Sequence, residues 1–247
     1  MSTLSGGPNV VVDGLVLWLD AANSKSYMSG STTWNNLSRS GLNGTLTNGP
    51  TFNGANGGSI VFDGVNDYVD CGFISTNILN NNQFTLNYWL RITGVARGDF
   101  FNIKNFNTPQ DDIGFFIDTN NKLYAYFSIQ GIITNNGVGP GFASISNTTF
   151  IRNTIYNICV QKDASQKIVM YVNGILDNNT YSTITNTANV ASTQLWVGSN
   201  RSNLTTPTLS FPGNIYQASA YNRALTAQEV LQNYNATKSR FGLTWYL

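Results

Sequence analysis

The sequence predicts an all-β fold of two antiparallel sheets packed as a sandwich, with one short helix near the C-terminus. Three observations predict it: several segments alternate apolar and polar residues with a period of two, turn formers separate those segments, and a helical pattern occurs once. The chain has 247 residues, and Asn, Gly, Ser and Thr stand where charged residues usually do, as in Asn80-Asn81-Asn82 and Asn178-Asn179. Their side chains bond their own backbone and tolerate left-handed geometry, so they favour turns, and many turns imply many short strands.

The elements follow in order. Leu15 to Leu19 reads as the first strand, and Ser59 to Phe62 as another that meets Asp63-Gly64 before Tyr68-Val69 continues. Phe84 to Ile92 puts Phe84, Leu86, Tyr88, Leu90 and Ile92 on one face of a strand. Lys122 to Ile129 does the same with Leu123, Ala125, Phe127 and Ile129. Ile158 and Val160 lead into the turn Asp163 to Gln166, and Ile168, Met170 and Val172 return as the second arm of a hairpin. Asn173-Gly174 then signals a tight turn. Gln194 to Gly198 supplies a further strand through Leu195 and Val197. Thr226 followed three residues later by Glu229 is a capping box, and Val230, Leu231 and Tyr234 give the apolar stripe of a helix over Ala227 to Ala236.

Composition narrows the function. Charged residues make up 10% of the chain, against roughly 25% in typical globular domains. The formal net charge is +1, with 13 basic and 12 acidic residues and no basic stripe, so nucleic acid and anionic membranes are poor partners. No run of about 18 apolar residues occurs that would span a bilayer. The opening residues lack a basic region followed by an apolar one, which reads as synthesis in a host cytoplasm. Cys71 and Cys159 fit buried free thiols better than a disulfide.

Several segments then carry a family resemblance. Gly14-Leu15-Val16-Leu17-Trp18-Leu19-Asp20, Gly41 to Leu46, Ser59 to Val69, Met170 to Gly174 and Tyr221 to Thr226 occur in the order seen in laminin-G-like domains. The chain resembles these concanavalin A-like jelly rolls from about residue 14 to 237, which implies jelly-roll topology. The expected divisions are an N-terminal arm over 1–13, the domain over 14–240 and an apolar tail over 241–247. The opening Gly6-Gly7-Pro8-Asn9 and Val12-Asp13-Gly14 is similar to that of structural proteins of tailed bacteriophages, which implies a virion component such as a capsid decoration protein, a head or neck fibre or a tail-associated subunit.

Glucanases of this fold place paired acids on one strand as Glu-x-Asp-x-x-Glu, and glycoside hydrolysis needs two carboxylates about 5–10 Å apart. This chain has one glutamate, Glu229, and no histidine, while Asp111-Asp112 are adjacent and point to opposite faces of a strand. The expectation is therefore a protein without turnover. The resemblance also implies a structural calcium, but the loop here reads Asn36-Leu37-Ser38-Arg39-Ser40-Gly41 and the late pair is Ile215-Tyr216, so calcium is disfavoured, with Asp20 and Asn36 as its weak candidates.

Sugar binding needs exposed aromatic rings edged by amides. Tyr124, Tyr126, Trp89 and Trp196 lie opposite the aliphatic faces of their strands, so they are either a platform or a second packed layer. The tail ends in Trp245, Tyr246 and Leu247, residues suited to an interface core. The expected function is a virion-surface structural protein that contacts copies of itself, in an oligomer such as a trimer, and a capsid shell protein. The alternative is a carbohydrate-binding adhesin that recognises a host surface glycan.

Overall fold

A computed structural model describes residues 8–72, 83–105, 112–129, 132–133, 144–177, 193–201 and 205–243. The first strands are β1 (Leu15–Asp20), β2 (Thr33–Trp34), β3 (Gly44–Thr47), β4 (Thr51–Asn53), β5 (Ser59–Asp63) and β6 (Tyr68–Asp70). The middle of the chain supplies β7 (Phe84–Ile92), β8 (Gly98–Asn105), β9 (Asp112–Ile117), β10 (Leu123–Ile129), β11 (Ile132–Ile133) and β12 (Ser144–Ile145). A hairpin and its extension follow as β13 (Ile155–Lys162), β14 (Ile168–Val172) and β15 (Ile175–Leu176). The last strands are β16 (Thr193–Val197), β17 (Asn200–Arg201), β18 (Pro207–Thr208) and β19 (Pro212–Tyr221), before helix α1 (Ala227–Thr237) and a 3-10 turn over Lys238–Phe241.

Among the described residues the strands form two large antiparallel sheets. The smaller has eight strands in the order β15-β14-β13-β7-β19-β5-β4, with β1 also paired to β19. The larger has nine in the order β11-β10-β9-β8-β16-β6-β3-β2, with β12 also on β10. Strands β17 and β18 make a separate ribbon. Sequence neighbours such as β5 and β6 lie in different sheets, so the chain repeatedly crosses the sandwich, and the architecture is a jelly roll with one short C-terminal helix.

The period-two pattern explains the core. Phe84, Leu86, Tyr88, Leu90 and Ile92 of β7 face Phe101, Ile103, Phe115, Leu123, Ala125, Leu195 and Val197 of the larger sheet in one buried cluster. Full burial of such side chains contributes about 1.5–3 kcal/mol each. Register is fixed by this pattern, because a slip of one residue would turn the apolar set outward. The Asn173-Gly174 turn has both residues at positive φ, 52° and 77°, and connects β14 to β15 as a tight hairpin. Cys71 lies in the core between the sheets and Cys159 in a separate cluster on the outer side of the smaller sheet; both are free and buried, and burial pushes both thiols up.

Around Trp89 and Tyr221 the outer face of the smaller sheet is covered by the chain itself. Helix α1 starts on the expected capping box, with Thr226 Oγ1 accepting from Glu229 N at 3.2 Å and Glu229 Oε2 accepting from Thr226 N at 2.8 Å. It ends one residue later than expected, at Thr237. Beneath it Trp89 is fully buried, stacked on Tyr234 at 5.5 Å and on Phe241 at 4.4 Å. Val11 packs beside Tyr221 and Val230, and its backbone N–H donates to Asn233 Oδ1 at 2.8 Å. Val11 and Phe241, which the sequence placed in an arm and a tail, are thus both packed on the sandwich. No helix among the described residues is long and apolar enough to cross a membrane.

Candidate functional site

The larger sheet carries a layer of aromatic and amide side chains on its outer face. Cross-strand pairing sets Tyr126 beside Gly114, Gly114 beside Asn102, Asn102 beside Trp196, and Trp196 beside Asp70. The next row sets Tyr124 beside Phe116 and Phe116 beside Asp99. A bulge between Asp99 and Phe101 lets Phe100 and Phe101 both face the core, and it aims Asp99 outward.

Gly114 makes room for Tyr126. A Cβ at position 114 would stand 2.3 Å from the phenol oxygen, so the tyrosine ring lies directly over the glycine backbone. The Tyr126 hydroxyl accepts from Asn102 Nδ2 at 3.0 Å and from Asn200 Nδ2 at 2.8 Å. Asn200 Nδ2 also reaches Asp99 Oδ2 at 3.0 Å. Arg97 closes the network with two bonds to Asp99, Nε to Oδ1 at 2.9 Å and Nη2 to Oδ2 at 3.1 Å. Its guanidinium carbon stands 3.6 Å above the centre of the Phe116 ring, and Phe116 stacks on Tyr124 at 5.1 Å.

The electrostatics follow from this geometry. The Asp99 side chain is 0% exposed and that of Arg97 28% exposed. Burial opposes the guanidinium charge, but the paired hydrogen bonds and the carboxylate of Asp99 outweigh it and raise the Arg97 pKa. Asp99 thus stands as the counter-charge of Arg97. The result is a half-buried phenol ring edged by amides, a carboxylate and a guanidinium whose charges cancel, which suits a neutral ligand with many hydroxyls and apolar ring faces.

The residues singled out in the sequence divide between several places. Tyr124, Tyr126 and Trp196 share this outer face, whereas Trp89 lies on the outer side of the other sheet beneath α1. The exposed platform needs correction: Trp89 and Trp196 are 0% exposed and Tyr124 is 8% exposed, and of the four only Tyr126 is half-buried. The physical reason is stacking. Trp196 lies on Tyr68 with ring centres 3.8 Å apart, and the Tyr124 hydroxyl accepts from Asn120 Nδ2 at 2.6 Å. Arg97, Asp99, Asn102 and Asn200 were missed; the alternation of Asn102 with Phe101 and Ile103 was the one available signal.

Asp20 and Asn36 are each engaged within the fold. Asp20 Oδ1 accepts from Ala22 N at 2.9 Å and from Arg240 Nη1 at 2.7 Å, so a guanidinium supplies its counter-charge. Asn36 Oδ1 accepts from Trp18 N at 2.8 Å and Ser38 N at 2.9 Å. No group of three or more His, Cys, Asp or Glu residues placed to hold a metal ion gathers among the described residues. Asp111, the Asp112 side chain, and Trp245, Tyr246 and Leu247 lie outside the described residues.

Sheet order and the crossing of the chain between sheets define a concanavalin A-like jelly roll. The chain belongs to the concanavalin A-like lectin/glucanases superfamily, whose laminin G family model matches residues 63–231. Among solved structures it is similar to Trypanosoma rangeli sialidase in complex with sialic acid, at 16% identity and TM-score 0.66 over 96% of this chain and 36% of that one. It is also similar to domain 4 of a GH43 extracellular arabinanase from Geobacillus stearothermophilus in complex with arabinotriose, at 13% identity and TM-score 0.63 over 91% of this chain and 100% of that one. The binding domain of Paraclostridial Mosquitocidal Protein 1 matches at 15% identity and TM-score 0.61, over 90% of this chain and 52% of that one. The chain spans about a third of the length of the sialidase structures. No curated protein matches its sequence.

These likenesses correct one expectation. Sialidases are enzymes, and this fold extends over nearly all of the chain within them, so the reading of a chain without turnover is overturned. Its flaw was one of scope. A single glutamate and the lack of histidine exclude imidazole catalysis and a paired-glutamate strand; they do not exclude every glycosidase arrangement.

Proposed function

We propose that this chain is a saccharide-binding jelly-roll domain and that a sugar ring sits against Tyr126 on the outer face of its larger sheet. The observation that carries the reading is the half-buried Tyr126 ring, fixed over Gly114 and edged by Asn102, Asn200, Asp99 and Arg97. A sugar presents apolar C–H faces and a belt of hydroxyls, and this site offers a ring face beside donors and acceptors whose own orientations are fixed. Arabinotriose, a neutral sugar bound in the similar arabinanase domain structure, supports the same ligand class. Screening purified protein on a glycan array tests it, with release of reducing sugar measured on the same panel. Tyr126→Ala should weaken binding by about tenfold while the fold is kept. If no glycan binds, or if Tyr126→Ala binds as well as the parent, the reading fails.

A second reading has one observation in its favour. Among the described residues β15 ends its sheet, and its Ile175 and Leu176 are 66% and 45% exposed beside Leu231 of α1 at 42%. A free edge with apolar side chains suits pairing with a second copy of the chain. This supports self-assembly of the kind expected of a virion subunit, whose further contacts would use Trp245, Tyr246 and Leu247. Ile175→Lys should leave a monomer if that edge pairs copies, and labelled antibody on purified particles tests the virion location.

A further inference from the structure

On the opposite sheet, a groove of about 550 Å³ lies along β1. That is the size of a small-ligand pocket. Its wall includes Val12, Leu15, Trp18 and Leu37, and its polar groups include Asp13 and Arg39. We infer that this groove is a second saccharide site, selective for a ring sugar that carries a negative group, with Trp18 as the stacking surface and Arg39 as the anion-binding group. The inference rests on the saccharide reading above, but on a different sheet and different residues.

The loop that bears Arg39 is stapled to β1. Asn36 Oδ1 accepts from Trp18 N, and Leu37 N donates to the Trp18 carbonyl at 2.9 Å. Ser38 Oγ and Ser40 Oγ both donate to the Val16 carbonyl, at 2.8 and 2.7 Å. Arg39 therefore stands between two anchored serines, and the same anchors that hold the loop hold the backbone of Trp18. The Arg39 side chain is exposed and has no described partner. Asp13, by contrast, is already paired with Arg223 Nε at 2.9 Å, and Arg223 also binds Glu229 at 2.7 Å. The unmatched charge in the groove is thus the guanidinium. The anchored loop fixes the backbone from which Arg39 projects, and the planar guanidinium fork fits the two oxygens of a carboxylate or sulfate. Trp18 beside it supplies an aromatic face at reach of the ring that would carry such a group.

Calorimetry on the full chain tests this with three probes of equal length: an oligogalacturonate, a sulfated galactan oligosaccharide and a neutral galactan oligosaccharide. The acidic probes should bind more tightly than the neutral one and lose affinity as salt is raised. Arg39→Gln should weaken the acidic probes by about tenfold or more and leave the neutral one unchanged. Arg39→Lys should recover only part of the loss, because it keeps the charge without the fork. Whichever acidic probe responds identifies carboxylate or sulfate as the preferred group. Both Arg39 variants should melt with the parent, since the side chain bonds nothing among the described residues. If acidic and neutral probes bind alike, or if Arg39→Gln binds the acidic probes as the parent does, the groove is not an anionic-sugar site. Loss of acidic binding on Tyr126→Ala but not on Arg39→Gln would overturn this inference and leave the outer-face reading standing. Failure of all three probes with the parent would overturn it as well, and the glycan array would then decide the outer-face reading separately.

Discussion

The outer faces of the two sheets use the same residue types to opposite ends. On the smaller sheet Trp89 lies under Tyr234 and Phe241, and Asn157 Nδ2 donates to Asn87 Oδ1 at 3.0 Å and to the Tyr88 carbonyl at 3.2 Å. Aromatic rings and amides there meet the chain's own helix and its own N-terminal segment. On the larger sheet the amides Asn102 and Asn200 converge on a tyrosine that is half-buried, beside an ion pair whose cation is 28% exposed. Around Trp89 the first face is a polar-edged core layer, and around Tyr126 the second is built as a surface. What separates them is the covering element, because an aromatic ring offers a ligand only the face that no helix occupies.

That comparison can be tested by breaking each face in turn. The largest effect is expected on the covered side. Trp89→Ala removes a fully buried indole stacked between Tyr234 and Phe241 and should destabilise the fold by about 3–5 kcal/mol. Chemical denaturation measures this. Saccharide affinity per folded molecule should not change, and a loss of affinity at full folding would show that the two faces are coupled. On the other face, Tyr126→Phe keeps the ring and deletes the hydroxyl that accepts from Asn102 and Asn200. With those two bonds lost, the site should lose about 1–3 kcal/mol of stability. It should retain part of the affinity that Tyr126→Ala loses, because the stacking surface is still present.

How much of this was legible depended on sequence distance. The apolar stripe of β7 and the capping box of α1 are local patterns, and both elements formed within one residue of the expected bounds. Resemblance supplied the jelly-roll topology, which alternation alone does not specify. The burial of Trp89 was not legible. Its partners Tyr234 and Phe241 lie far along the chain, and a residue opposite an aliphatic face can be exposed or covered by a helix with the same local pattern. The Arg97–Asp99 pair is close in sequence, yet the bond from Asn200 to Asp99 spans 101 residues and depends on the crossing of β8 and β17. A bulge at Phe100 also shifts the alternation there, so strict period-two counting points Asp99 toward the wrong face.

The smallest expected effect distinguishes how the covering helix is held. Glu229 accepts from Arg223 through both of its oxygens, at 2.9 and 2.7 Å, and from Thr226 N at 2.8 Å. The Arg223 hydrogen bonds, with smaller contributions from the Thr226 backbone and the Arg223 charge, hold its carboxyl at about 2 against an ordinary value of 4.5. Because the folded value lies below the unfolded one, the stabilisation is fully present above about pH 4.5 and is lost as pH falls toward 2. Both groups are partly exposed, so the contribution is small and weakens with salt. Melting curves of the parent and Glu229→Gln should therefore differ above pH 4.5 and converge as the solution is acidified toward pH 2. Thr226→Ala removes the other half of the capping box and should cost about 1 kcal/mol at neutral pH. If the covered face depends on the helix as the stacking of Trp89 implies, each variant should raise hydrogen exchange around Trp89 and Tyr221 and leave that around Tyr126 unchanged. Equal exchange changes on both faces would mean that the helix cap stabilises the whole sandwich and that the contrast between covered and open faces is not an energetic one.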